Sequence, residues 1–115
     1  MAAVLRELVE SSEVIEGSAL ISSDGLALAS MLPAQFDTDR VAAMSAAMLA
    51  LGGQASAELS RGTLDQVLIK GSGGHVLLTR ASPTTVLVVV TRPDAQLGTT
   101  FLDVRRGAEA LARAV

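Results

Sequence analysis

The fold of this chain depends on the stretch VAAMSAAMLALGGQASA, residues 41–57, which contains no charged residue. Arg40 precedes it and Glu58 follows it. Alanine, methionine and leucine favour helix, and either Asp37 or Thr38 is placed to cap the N-terminus. The stretch therefore predicts one long, uncharged helix in the middle of the chain.

Two apolar stripes run side by side along this helix. The first stripe consists of Val41, Met44, Met48, Leu51 and Ala55. The second stripe consists of Ala42, Ala46, Leu49 and Gly53. A helix that is apolar around so much of its circumference is normally buried on more than one side. In so small a chain, we expect one side to pack on the protein's own core and another side to pack on a second copy.

Two alternatives compete with this shared helix. A membrane span needs about 20 predominantly apolar residues, and this run is shorter and is weakened by Gly52, Gly53, Gln54 and Ser56. The second alternative is a helix buried wholly within one domain, since apolar stripes often simply belong to the core. The alanines and glycines, which let a second helix approach closely, and the adaptable methionines favour the shared helix.

Composition limits the classes of function. The 115 residues suit one domain with a real core, and a net charge of −3 gives no electrostatic reason to bind nucleic acid. The two aromatic residues, Phe36 and Phe101, do not make a base-stacking platform. The absence of cysteine excludes disulfides. Arg6, Glu7 and Glu10 interrupt the apolar region that a signal peptide would need, so we expect a cytoplasmic protein.

The rest of the chain predicts two further helices and five strands. The helices lie at 3–12 and after a capping Asp94, and Asp24-Gly25 is a strong hairpin signal. The predicted strands are 17–23, 26–32, 63–70, 75–80 and 84–91. Polar residues interrupt strand 63–70, which suits a sheet edge. Strand 84–91 is apolar on both faces, which suits the centre of a covered sheet.

The last helix carries one apolar stripe. It consists of Leu97, Phe101, Val104, Ala108, Leu111 and Val115. The order of elements is then α-β-β-α-β-β-β-α. Five mostly antiparallel strands with helices on both faces form a three-layer α/β/α sandwich of the α+β class.

Residues with catalytic potential are few. His75 is the only histidine, and because it follows a Gly-rich turn we expect it to be exposed to solvent. Ser72 lies nearby without a third group to form a triad. The sequence GSGGH lacks the Lys-Ser/Thr of a phosphate-binding loop and precedes a strand. We therefore predict no catalytic residue, no metal ligand and no cofactor.

The ordered combination of these stretches resembles the roadblock family, which is named for a dynein light chain and includes bacterial MglB-type regulators. The resemblance covers essentially the whole chain. It is carried by Gly17–Ser30, the central helix, GTLDQVLIKGSGGHVLLTR, TVLVVVT and Pro93–Leu111. The family implies a profilin-like roadblock architecture. It also implies a homodimer, or a heterodimer with a paralogue, in which the long helices pack antiparallel and the third strands pair edge to edge into a ten-stranded sheet.

The resemblance further implies a function. Family members regulate small Ras-like GTPases or act as dimeric adaptors, and MglB-type members engage the GTPase through the helix-bearing face without inserting a catalytic arginine. Because the chain has the family's minimal length, we expect a non-enzymatic GTPase regulator. A passive scaffold in a signalling or motor complex and a small-ligand sensor remain as alternatives.

Two sets of residues follow for these partners. The predicted dimer interface consists of Val41, Met44, Met48, Leu51, Ala55, Thr63, Asp65, Val67 and Ile69. The polar positions around the central helix, predicted to face a GTPase, are Arg40, Ser45 and Glu58.

Overall fold

A computed structural model describes residues 1–114 as three helices and five strands in the predicted order. The elements are α1 (Ala2–Glu10), β1 (Ile15–Ser22), β2 (Ala27–Met31), α2 (Thr38–Glu58), β3 (Gln66–Gly71), β4 (Gly74–Ser82), β5 (Thr85–Thr91) and α3 (Leu97–Ala114). No helix within these 114 residues is long and apolar enough to cross a membrane.

The strands form one sheet in the order β2-β1-β5-β4-β3, and each neighbouring pair is antiparallel. The valine-rich strand β5 lies at the centre, and its side chains are buried on both faces, as its sequence predicts. The strand with polar interruptions, β3, lies at one edge and begins at Gln66 rather than Thr63. The other edge is β2.

Helices cover the two faces of the sheet separately. On one face, α1 packs on β1 and β2, and α3 packs on β4 and β5. Leucines from both helices and from the sheet, including Leu5, Leu87 and Leu111, fill this side of the core. On the opposite face α2 packs on β1, β2 and β3, with Leu49 as its largest buried side chain. The predicted three-layer α/β/α sandwich is confirmed.

The central helix begins where its sequence predicts. The Asp37 carboxylate accepts a hydrogen bond from the backbone N–H of Arg40, at 3.2 Å, and so satisfies one of the free amides of the first turn. Asp39 adds a second negative charge in that turn, where the charge interacts favourably with the helix dipole. The helix then runs for 21 residues to Glu58.

Two predictions made from the sequence are wrong. His75 is 4% exposed, because it points inward from the first positions of β4 and does not belong to the turn. Asp94 does not cap α3, since the helix begins at Leu97; its carboxylate instead accepts a hydrogen bond from Arg92 Nε at 3.1 Å. Both errors come from judging a residue at the end of an element from its neighbours in sequence alone.

The apolar stripe of α3 is confirmed from Phe101 onwards, whereas its first member, Leu97, is half-buried outside the core cluster. Val104, Ala108 and Leu111 are buried against the sheet, and Phe101 is half-buried beside them. Val115, the last member of the predicted stripe, lies outside the described residues.

Replacing Gly74 with alanine is expected to lower the free energy of unfolding. Gly74 has φ +146°, and an added Cβ would collide with the backbone carbonyl oxygen of Thr91 in the adjacent β5. The backbone conformation alone costs a non-glycine residue about 1–3 kcal/mol. Urea unfolding of Gly74→Ala measures the loss. The control is Gly73→Ala, whose Cβ would meet nothing within 4 Å; equal stability of the two variants would contradict this assignment.

Candidate interaction surface

The outward face of α2 is exposed and carries no charge along most of its length. Buried side chains, among them Ala42, Ser45 and Leu49, fix the inward face on the sheet. The exposed residues between the two terminal charges are Ala43, Met44, Ala47, Ala50, Leu51, Gln54, Ala55 and Ala57. Met44 is 51% exposed and Leu51 is 67% exposed. A helix with this much open apolar surface is incompletely covered by its own domain.

An apolar groove of about 290 Å³ runs along the methionine side of α2. It is lined by Leu32, Phe36, Val41, Met44, Ser45, Met48, Ile69, Val76, Val88 and Val90. Phe36 and Val41, the pair expected to flank the helix cap, both lie here. The groove exists because α2 covers the sheet incompletely beside the ends of β3, β4 and β5.

Close contacts at both ends of α2 determine where it crosses the sheet. At the hairpin between β1 and β2, a Cβ on Gly25 would lie 3.5 Å from the Cα of Ala43. Towards the other end of α2, a Cβ on Gly52 would lie 2.9 Å from Leu64 Cδ2. The small residues therefore let α2 approach the turn on one side and the segment before β3 on the other. On the methionine side, the sheet between them is covered only in part.

The predicted dimer residues occupy two parts of this surface. Val41, Met44, Met48 and Ile69 share the groove. Leu51 and Ala55 continue the same flank of α2, since they follow Met44 and Met48 by seven residues. The remaining three lie along or just before the edge strand: Val67 is half-buried in β3, whereas Thr63 and Asp65 are exposed ahead of it.

The predicted GTPase-facing residues do not form one cluster. Arg40 and Glu58 are exposed at opposite ends of α2, about 27 Å apart along the helix axis. Ser45 is 2% exposed and lies on the inward face of α2. It is therefore not available to a partner and is removed from the residues predicted to face a GTPase. The two charges thus border an uncharged surface.

Sequence reasoning missed the part of the groove that the sheet contributes. Val76, Val88 and Val90 lie on the face towards α2, in or beside a strand that is apolar at almost every position. In such a strand the two faces look alike in sequence. The period-two signal that would have identified these residues is therefore absent.

A metal site and a site built around His75 have little support in residues 1–114. Within residues 1–114, no group of three or more His, Cys, Asp or Glu residues could hold a metal ion. His75, the one histidine, lines none of the cavities described here, and nothing within residues 1–114 forms a hydrogen bond with its buried Nδ1. The uncharged surface of α2, with its groove, is the stronger candidate.

Residues 1–91 match the Roadblock/LC7 domain family, and the chain belongs to that family. The uncharacterised protein MJ1340 of Methanocaldococcus jannaschii is 38% identical over 106 residues, which are 92% of this chain and 91% of that protein. The predicted membership in the roadblock family is confirmed.

Solved structures that have the same fold include roadblock domains and MglB. A Roadblock/LC7 domain from Streptomyces avermitilis superposes with a TM-score of 0.92 over 99% of this chain and 96% of that chain; at 18% identity the likeness concerns the fold alone. A structure described as MglB with tetrameric arrangement is 26% identical, with a TM-score of 0.88 over 96% of this chain and 84% of that chain. The profilin-like roadblock architecture predicted from the sequence is confirmed.

Proposed function

We propose that this protein is a dimeric, non-catalytic regulator of a small Ras-like GTPase and acts in the cytoplasm. The observation that carries the proposal is the exposed, uncharged face of α2 with the apolar groove beside it. Membership in the roadblock family and likeness to MglB structures support it.

The dimer is expected to use the methionine flank of α2 and the edge of β3. Leu51 and Met44 are large apolar side chains that a lone protomer leaves in water. Ile69 places the groove next to the free edge of β3, so a second copy can cover the groove and pair with the strand in one contact. A homodimer is proposed, and a heterodimer with a paralogue would use the same surfaces.

The GTPase is expected to contact the outermost side of α2. Ala47 precedes the buried Leu49 by two positions, which is about 200° around the helix. Ala47 therefore points away from the sheet. Between Arg40 and Glu58 this side has no cation to stabilise charge on a transferring phosphoryl group. The regulator would therefore act by binding one conformation of the switch segments better than another.

Nucleotide-dependent binding and GTP turnover test the proposal. Candidate Ras-like GTPases from the native host are loaded with GDP or with a non-hydrolysable GTP analogue, and their affinity for the dimer is measured. We expect a preference for one nucleotide state and a changed rate of hydrolysis or exchange. Equal affinity for both states, or unchanged turnover at saturation, would contradict a regulator and favour a passive scaffold.

A matched pair of variants locates the contact. Ala47→Glu is expected to weaken GTPase binding at least about tenfold, or 1.4 kcal/mol, because an interface would have to desolvate the new charge. Ala3→Glu, exposed on α1 at the opposite face of the sheet, serves as the control. Equal affinities of the two variants would show that the GTPase binds elsewhere.

A further inference from the structure

One strand of the sheet is left uncovered on the face opposite α2. There α1 covers β1 and β2, and α3 covers β4 and β5, whereas neither helix makes extensive contact with β3. Leu68 of β3 pairs with Leu77 of β4, which is buried beneath α3, so both side chains belong to this face. Leu68 itself is 40% exposed in the middle of the strand.

A cavity of about 370 Å³ lies between α3 and the adjoining ends of β3 and β4. It is lined by Asp65, Gln66, Thr79, Arg80, Ala81, Phe101, Arg105, Ala108, Glu109 and Ala112. The residues from α3 recur at helical spacing over three turns, so the cavity follows the axis of the helix. Thr79 Oγ1 is buried in its wall, and no other group within residues 1–114 forms a hydrogen bond with it.

On the other flank of α3, a neighbouring helix packs closely against it. There α1 packs against α3 at Gly107, where an added Cβ would lie 2.8 Å from Leu8 Cδ1. A small residue on α3 thus lets a neighbouring helix approach closely. On the flank facing β3, the small residues Ala108 and Ala112 line a groove that no helix fills within the described part of the chain.

The width of the uncovered region follows from the proposed dimer, on which this inference rests. Strands lie about 4.8 Å apart and a helix is about 10 Å across, so one helix covers two strands. Two helices on this face of a five-stranded sheet leave one strand bare. When two β3 edges pair, two bare strands adjoin, and the gap between the two copies of α3 becomes one helix wide.

We propose that this gap, the seam slot, binds one amphipathic helix of a partner protein per dimer. The slot lies on the two-fold axis, so a single helix occupies it and excludes a second. Leu68 of each copy lies exposed on the floor, beyond the residues that line the cavity of one protomer, and the walls present Phe101 together with side chains of both charges, Arg105 and Glu109. The bound helix would carry a narrow apolar stripe bordered by mixed charges.

Selection from a phage-displayed library of helical peptides, about five turns long, tests the slot on the full-length dimer. We expect selected peptides to bind with a stoichiometry of one per dimer. Leu68→Asp is expected to weaken them at least tenfold. Leu28→Asp is the control, because Leu28 is 45% exposed on the other edge strand, β2. Ala112→Arg, on α3 rather than at the strand edge, is expected to weaken the peptides as well.

The outcomes distinguish a failure of the slot proposal from a failure of the proposed dimer. Light scattering first establishes the mass of the wild type and of each variant; a monomeric wild type removes both the dimer and the slot. A dimer that yields no binders, binds two peptides, or binds them regardless of Leu68→Asp and Ala112→Arg overturns the slot alone. A doubling of the dimer mass that Leu68→Asp abolishes would show that another copy occupies the slot, which also overturns it.

Discussion

Leu51→Glu is expected to convert the dimer into monomers without unfolding the protomer. Leu51 is 67% exposed on α2, so a glutamate there stays hydrated in a lone protomer. In the proposed dimer each copy loses about 1–2 kcal/mol of leucine burial, and the two copies lose about 2–4 kcal/mol together. The dissociation constant should rise about 30-fold to 1,000-fold, before the cost of burying the new charge is added.

Light scattering over a dilution series measures this change, and circular dichroism reports whether the protomer stays folded. Leu26→Glu is the matched control, since Leu26 is 65% exposed but follows the turn before β2, at the other edge of the sheet. Leu51 is a cleaner probe than Met48, because Met48 is half-buried against the core and a charge there would also destabilise the protomer. An unchanged mass for Leu51→Glu would remove the methionine flank from the interface.

Leu87→Ala is expected to lower the free energy of unfolding by about 2–5 kcal/mol, because it leaves a cavity at the centre of the molecule. Leu87 is fully buried in the central strand β5, in the core beneath α1 and α3. A domain of this size is stable by about 5–15 kcal/mol in total, so the variant is expected to lose a large fraction of its stability.

Urea unfolding of the Leu51→Glu background, compared with the same background carrying Leu87→Ala, separates core stability from dimerisation. Leu26→Ala is the control, and a surface substitution of this kind is expected to change stability by no more than about 0.5 kcal/mol. A loss below about 1 kcal/mol for Leu87→Ala would mean that the core beneath α3 is loosely packed or rearranges to fill the space.

Much of the fold could be predicted because its strongest signals are local. The uncharged run in α2 and its cap at Asp37 depend on helix propensity and on one side-chain hydrogen bond, and both act within a few residues. The valine-rich β5 indicates the centre of the sheet by composition alone. Such features depend little on the rest of the chain.

The errors arise where tertiary contacts decide. His75 looks exposed next to glycines, yet β4 begins at Gly74 and turns the imidazole into the interior. Ser45 is polar on an apolar helix, yet its position relative to Leu49, four residues later, places it against the sheet. Neither orientation can be obtained without knowing which side of the element faces the core.

The candidate surface could be predicted on α2 but not on the sheet. Helical periodicity separates the stripe with Met44 from the stripe with Leu49, so the helix half of the groove follows from spacing once the Leu49 stripe is placed on the sheet. The incompletely covered part of the sheet beneath it depends on the angle at which α2 crosses the strands. That angle is determined by close approaches at Gly25 and Gly52, which are distant from each other in sequence.

Sedimentation equilibrium of the wild-type protein tests most directly whether the open flank of α2 is covered by a second copy. A particle of twice the 11.8 kDa chain mass, in which Met44 and Leu51 lose their accessibility to a surface-labelling carbene probe, is the predicted result. A particle of 11.8 kDa with both side chains freely labelled would contradict the account.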